Sequence, residues 1–155
     1  MPSDQDTSQY VVFRLAKEDY AFDISVVREI HELDVISKVH RSPSHIEGVM
    51  NLRGKLVTVV DLRKRLGLDS KVPDELAKII VVDAPDAPVG FLVDEVVEVA
   101  RISAEAIEPP PSYVSDGLEA EYVKGIAKVG ERLITLVDPI KVLEISCEEP
   151  VGSGG

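Results

Sequence analysis

Cysteine is almost missing from this sequence: Cys147 is the only one in 155 residues. A lone cysteine excludes an intramolecular disulfide and a cysteine metal cage. It stands beside Glu148 and Glu149, where a thiolate is disfavoured, so it reads as inert. Tryptophan is absent and aromatic residues make up only 5% of the chain. The core must therefore come from Val, Ile and Leu, and a β-branched supply favours strands. Positive charge is scarce too. Lys and Arg number 17 against 28 Asp and Glu, for a formal net charge of −11. Such a field repels phosphate backbones and anionic headgroups, which argues against nucleic-acid binding and membrane-surface binding. Arg53, Lys55, Arg63, Lys64 and Arg65 form a local basic patch on an acidic body. Apolar runs reach about five residues, far short of a membrane span. The polar start, residues 1–8, has no apolar stretch of the signal-peptide kind. These traits predict a cytoplasmic protein in a reducing compartment.

What is present is ordinary globular composition, 45% apolar and 29% charged. At this length folding buries roughly two-thirds of the unfolded surface, enough for a core without staples. Residues 1–9 read as a flexible leader and 148–155 as a Gly/Ser/Glu tail. Between them strand-like runs recur: 10–15 with 20–24, 35–39, 49–52 with 56–60, 78–83 with 89–93, 96–102, and 122–129 with 132–137. A polar connector covers 71–74 and a Pro/Ser-rich loop 108–117, with a polyproline conformation expected at its three consecutive prolines. Two short helices are expected, over 61–66 and 138–145. The second carries Pro139 directly after an Asp cap.

The second series of strands repeats the first. Moved by 77 residues, 48–66 falls on 125–143 without a gap. The identical positions are Gly48/Gly125, Leu56/Leu133, Thr58/Thr135, Val60/Val137, Asp61/Asp138, Lys64/Lys141 and Leu66/Leu143. About one identity is expected by chance. At an offset of 69, Phe22 meets Phe91, Ile24 meets Val93, Val27 meets Val96, Glu29 meets Glu98 and Ile30 meets Val99. A duplication of short strands closed by tight turns predicts an all-β protein with short helices. Its form is two pseudo-symmetric five-stranded barrels sharing an apolar seam, with a groove along that seam for a partner. The first barrel is expected over roughly 10–70 and the second over roughly 78–137, with a C-terminal helix at 138–145.

Residues capable of chemistry do not converge. His31, His40 and His45 lack the spacing of a helical metal pair. His31 and Glu29, two apart, would share a face if 27–31 is a strand rather than a helical turn, but no third ligand is evident, so a solvent or structural role is the stronger reading. Asp61 and Asp138 each directly precede a short helix, and N-capping accounts for both. No nucleophile elbow or phosphate-binding glycine loop occurs. A small hydrolase using Asp61 or His45 is thus a distant alternative. A proline-groove peptide binder is disfavoured because few aromatics are available to line it. One difference between the copies does point to recognition. The first carries Asn51-Leu52-Arg53-Gly54 where the second carries Lys128-Val129-Gly130-Glu131. An Arg on a hairpin tip is either a solvated turn charge or an anchor for a partner's carboxylate, and Glu29 can pair either with Arg53 or with a partner's basic residue.

The run IEGVMNLRGKLVTVVDLR over 46–63 strongly resembles the signature hairpin of the CheW family of chemotaxis coupling proteins. Residues 10–15, 20–30, 91–99, 107–111, 122–126 and 133–138 resemble that family in the same order, so the likeness spans roughly 9–145. It implies two SH3-like β-barrels, no catalytic activity, no cofactor and no metal. It implies two partners, the cytoplasmic tip of a methyl-accepting chemoreceptor and the regulatory domain of the histidine kinase CheA. It also implies packing into rings and arrays, and recruitment to membrane-bound receptors without membrane insertion. The positions matching the family's receptor contact are Val27, Glu29, Gly48, Asn51, Leu52 and Arg53. Kinase contacts would use hydrophobic barrel ends. The nearest alternative is a CheW-like adaptor of another signalling array, such as one for pilus motility.

Overall fold

The computed structural model describes residues 7–33, 36–38, 46–66, 68, 73–109 and 122–147. The calls on His40, His45, the tail and most of the proline loop lie outside these residues. Strands β1 (Thr7–Leu15) and β2 (Glu18–Asp23) form a hairpin turned by Ala16 and Lys17, both at positive φ. A single 3-10 turn, Ile24–Val26, follows, with the Asp23 carboxylate accepting from the Ser25 N–H at 2.9 Å. It leads into β3 (Val27–Glu32). Next come β4 (Ile46–Leu52), β5 (Lys55–Asp61) and the one-turn helix α1 (Leu62–Arg65). The hairpin of β6 (Lys78–Asp83) and β7 (Pro88–Val93) is separated from β8 (Glu95–Ser103) by Asp94 alone. A 3-10 turn at Ala104–Ala106 precedes β9 (Ile107–Glu108). The chain ends on β10 (Val123–Val129), β11 (Arg132–Val137) and α2 (Pro139–Cys147).

The strands make two sheets, ordered β3-β6-β7-β5-β4 and β8-β1-β2-β11-β10-β9. They are related as the duplication requires. β6 lies on β3 as β1 lies on β8, both antiparallel, and β7 lies on β5 as β2 lies on β11, both parallel. The sheets do not follow the halves of the sequence, however. The first half's β1–β2 hairpin sits in the sheet of the second half, and the β6–β7 hairpin sits in the sheet of the first. The expected division at 10–70 and 78–137 is therefore not the division of the sheets. The connections explain the exchange. A chain needs about two residues to reverse into an antiparallel neighbour. One residue links β7 to β8, so the chain runs on out of one sheet into the other. The 3-10 turn after β2 does the same in the opposite direction.

The second sheet has six strands rather than five, because the chain after β8 turns and adds β9 against β10. Its counterpart in the first sheet is thinner. Ser37 exchanges two backbone hydrogen bonds of 2.8 Å with Val49, closing the barrel between β3 and β4.

Side chains divide among three apolar clusters. Met50, Val57, Val59, Ile79, Val81 and Leu92 fill the first barrel, while Val12, Ala21, Ile102, Ala127, Ile134 and Leu136 fill the second. The seam between barrels takes Val11, Phe13, Leu15, Phe22, Val60, Ile80, Val82 and Phe91. Successive residues of a strand face opposite ways. Tyr10 to Phe13 and Ile79 to Val82 are buried throughout because one face of each strand fills a barrel and the other fills the seam. The chain's three phenylalanines all sit in that seam. Phe22 packs 4.7 Å from Phe13 and edge-on to its duplicate Phe91 at 5.4 Å, an arrangement that adds to the area each buries.

Candidate partner-docking site

The tip of the β4–β5 hairpin is a two-residue turn, Arg53 at φ 53° and Gly54 at φ 87°. Positive φ at both central residues matches the right-handed twist of the flanking strands. Glycine takes this conformation without strain, but Arg53 pays a steric penalty of about 1 kcal/mol for its Cβ. Asn51 braces the turn: its Oδ1 accepts from the Gly54 N–H at 2.9 Å. The Arg53 side chain reaches back over the sheet, and its Nη2 donates to both carboxylate oxygens of Glu29, at 2.7 and 2.8 Å. His31 Nε2 lies 2.9 Å from Glu29 Oε1. Glu29 and His31 share a face of β3, so the carboxylate sits between an imidazole and a guanidinium. The glutamate side chain is 22% exposed and the arginine 66%, which places the arginine outermost.

Beside this pair lies a groove of about 320 Å³. Leu52, Leu56, Val57, Val81 and Pro88 give it apolar walls, and Arg28, Glu29, Arg53 and Lys55 a charged margin. Of the six positions expected from the sequence, Glu29, Leu52 and Arg53 meet here. Asn51 stands under the turn as its brace. Val27 opens β3, half-buried against the seam cluster.

Gly48 is not on this surface. It is buried in the barrel wall at φ 149°, where a Cβ would collide with the Ser37 carbonyl and come within 2.8 Å of Ile36 Cγ2. Its duplicate Gly125 is approached in the same way, by the Glu108 carbonyl at 2.8 Å and Ile107 Cγ2 at 2.9 Å. Both glycines sit where β4 and β10 bulge. The passing segment that closes each barrel needs the space of the missing side chain.

A second depression, of about 210 Å³, opens on the seam among Tyr20, Leu66, Tyr122 and Ile126. None of the six expected residues lines it.

Sequence reasoning missed Leu56, which is 72% exposed on the rim of the first groove. Its duplicate Leu133 is 61% exposed. An identity between copies at an outward-facing apolar position was the available signal. Also missed was the tie across the seam. Arg63 donates through Nε to both oxygens of Asp94 (2.9 and 3.0 Å) and through Nη2 to Oδ2 (2.7 Å), and the same Oδ2 accepts from the Ala16 N–H at 2.9 Å. No local pattern announces a bond between residues 31 apart.

The two duplicated aspartates cap helices. Asp61 Oδ1 accepts from the Arg63 and Lys64 N–H groups at 3.0 and 3.4 Å, and Asp138 Oδ1 from those of Ile140 and Lys141 at 3.0 and 3.3 Å. Burial pushes the Asp61 carboxyl above the usual carboxylate range, against the pull of these backbone N–H groups. Among the described residues, no three His, Cys, Asp or Glu side chains are grouped to hold a metal, and no helix is long and apolar enough to cross a membrane.

Residues 9–146 match the CheW-like domain family. The chain is 36% identical over 135 residues to the chemotaxis protein CheW of Klebsiella aerogenes, covering 87% of this chain and 81% of that one. It is 36% identical over 132 residues to the chemotaxis protein CheW of Thermotoga maritima, covering 85% of each. Among solved structures, the scaffolding protein TtCheW of Thermoanaerobacter tengcongensis superposes with a TM-score of 0.83 at 35% identity, over 93% of this chain and 97% of that one. Two exchanged-hairpin SH3-like barrels and aspartates spent on helix caps thus coincide with likeness to chemotaxis scaffolds over most of the chain: this chain belongs to the CheW-like domain family of chemotaxis coupling proteins.

Proposed function

We propose that this protein works in the cytoplasm as a non-catalytic bridge between the signalling tip of a methyl-accepting chemoreceptor and the regulatory domain of CheA, and that the receptor docks at the Glu29–Arg53 groove. The observation that carries the site is the Arg53 turn. A non-glycine residue is kept in a left-handed conformation and tied to Glu29 at 2.7 Å, at the mouth of a groove with apolar walls. Backbone strain concentrates where a side chain must be presented. Leu52 and Leu56 supply the apolar centre of the contact, and Arg53 with Glu29 its polar rim.

Contact with the kinase and with further copies uses the barrel ends. The exposed Leu133 of the second barrel, outside the Glu29–Arg53 groove, supports that reading. Contacts that are individually weak are strengthened when many copies share one array.

The test is a pull-down with a receptor signalling fragment and a CheA regulatory domain, using wild type and Arg53→Ala. Wild type is expected to retain both partners and Arg53→Ala to lose the receptor selectively, with circular dichroism unchanged. Folded wild-type protein that retains neither partner would overturn the coupling assignment. An Arg53→Ala variant that binds the receptor normally would overturn the site.

A further inference from the structure

Glu29 has a second partner that the docking reading does not use. His31 Nε2 is 2.9 Å from the same Oε1 that accepts from Arg53 at 2.7 Å. Arg53 commits only Nη2 to the carboxylate, and among the described residues its Nε and Nη1 make no further hydrogen bond. These donors are left on a side chain that is 66% exposed, with capacity for a further acceptor.

Resting on the docking function given above, we propose that His31 is a positioning residue of this site: it fixes the Glu29 carboxylate that holds Arg53, and its protonation releases Arg53 toward an acidic group of the partner.

The charges around the imidazole set the sign. Glu29 is on its own strand, two residues away. Arg53 and Lys55 come from the β4–β5 hairpin, Lys78 from the end of β6 beside Glu32, and Asp83 at the far end of β6 is taken by Arg28 at 3.1 Å. With a neutral imidazole, Glu29 and Arg53 cancel and the trio carries no net charge. Protonation makes it +1, with two cations sharing one carboxylate. Each is then held less firmly, and the field turns attractive to an acidic partner. An imidazole is the side chain whose ordinary titration falls between about pH 5 and 8. The partly screened positions of His31 (32% exposed) and Glu29 (22%) keep the coupling from being lost to bulk water.

The experiment has two arms. The first uses the free protein, with NMR of the Arg53 side-chain N–H signals from about pH 8 to pH 6 in wild type and His31→Gln. The Arg53 signals are expected to move with the same midpoint as the His31 ring, and to stay still in His31→Gln, which retains a donor but cannot titrate. Arg53 signals that ignore the His31 titration overturn the proposal.

The second arm measures affinity for the receptor signalling fragment over the same range. Wild type is expected to bind about three- to fivefold more tightly at the acidic end, as one partly exposed charge allows. His31→Gln should match the wild-type affinity at the basic end and show no pH slope. His31→Ala should bind more weakly than His31→Gln throughout, with an unchanged melting temperature. A slope that persists in His31→Gln, or His31→Ala binding as well as His31→Gln, overturns the role. If wild type does not bind the fragment at all while its Arg53 signals follow His31, the docking function fails. The release of Arg53 by His31 then stands on the first arm, without its receptor.

Discussion

The two hairpins that duplicate one another, β4–β5 and β10–β11, differ most at their tips. Arg53–Gly54 puts two residues at positive φ, whereas Gly130–Glu131 needs only its glycine there, at φ 63°. Each barrel nonetheless has a glutamate–arginine pair at this end. Glu29 and Glu98 are duplicates. Glu29 is held by Arg53 from the turn itself, and Glu98 by Arg132 Nη1, at 2.6 Å, from the first residue of β11. Arg132 is also anchored to Asp19 at 3.2 Å, within an ion-pair network that includes Arg14. The second barrel thus achieves the charge pairing from an unstrained strand position and locks it. The first places the cation on a strained turn with donors to spare. Duplication kept the electrostatic logic and changed its presentation.

The largest expected effect tests whether the barrels close alike. Gly48→Ala should destabilise by about 3 kcal/mol or more, since backbone strain and a backbone collision act together. Gly125→Ala, which meets the equivalent passing segment at Ile107 and Glu108 without the positive φ, should cost about 1–3 kcal/mol. Chemical denaturation of both variants checks the order, and equal losses would show that conformation at Gly48 adds nothing. Because Gly48 lies in the barrel wall, substitutions there act on folding first and on binding second.

A smaller and opposite effect separates strain from recognition. Arg53→Gly installs the residue its duplicate already uses, Gly130. Stability should rise by about 0.5–1 kcal/mol, less the loss of an exposed ion pair, while receptor binding falls. A variant both more stable and less able to bind would show that strain is maintained for presentation. A loss of stability above about 1 kcal/mol would mean the Glu29 pair outweighs the strain.

The smallest effect concerns the ionisation of Asp61. Its carboxyl is held above its ordinary value by burial, so the folded state keeps its proton longer than the unfolded chain does. Stability from this group is therefore greatest in acid and declines as pH rises from the unfolded value of about 4 through the raised folded one. Asp61→Asn preserves an acceptor for the Arg63 and Lys64 N–H groups and removes the ionisation. Relative to wild type its melting temperature should improve between about pH 3 and pH 7, whereas Asp61→Ala should lose about 1 kcal/mol of capping at neutral pH.

The fold was legible from features the chain carries locally. Tight turns such as Gly130-Glu131, β-branched runs such as 56–60 and 78–83, and Asp-led helices all depend on neighbours within a few residues, whereas β3 was not legible because the period of its sequence is ambiguous. The site was legible in part. Arg53 stood out because its duplicate is glycine, and its pairing with Glu29 was one of two open readings. Gly48 was expected at the site only through the family resemblance, and no pattern along the chain reveals that the Ser37 backbone passes over it. Leu56 was passed over because an apolar residue in a strand is read as core until its exposure is known.

By itself, the sequence determined that the protein is built twice from one β unit, that its core is aliphatic, and that its duplicated aspartates start helices. Those follow from periodicity, composition and local capping, which are short-range. Only the tertiary structure decided that each half completes the other's barrel. That outcome rests on a single residue between β7 and β8, too short a link to fold the chain back onto its own sheet, and on the 3-10 turn Ile24–Val26, which carries the chain onward from β2 into the other sheet. The same exchange brings Asp94 to Arg63, Phe22 to Phe91 and the β6 wall beneath Glu29, contacts set by which sheets the chain traverses rather than by any pattern along it.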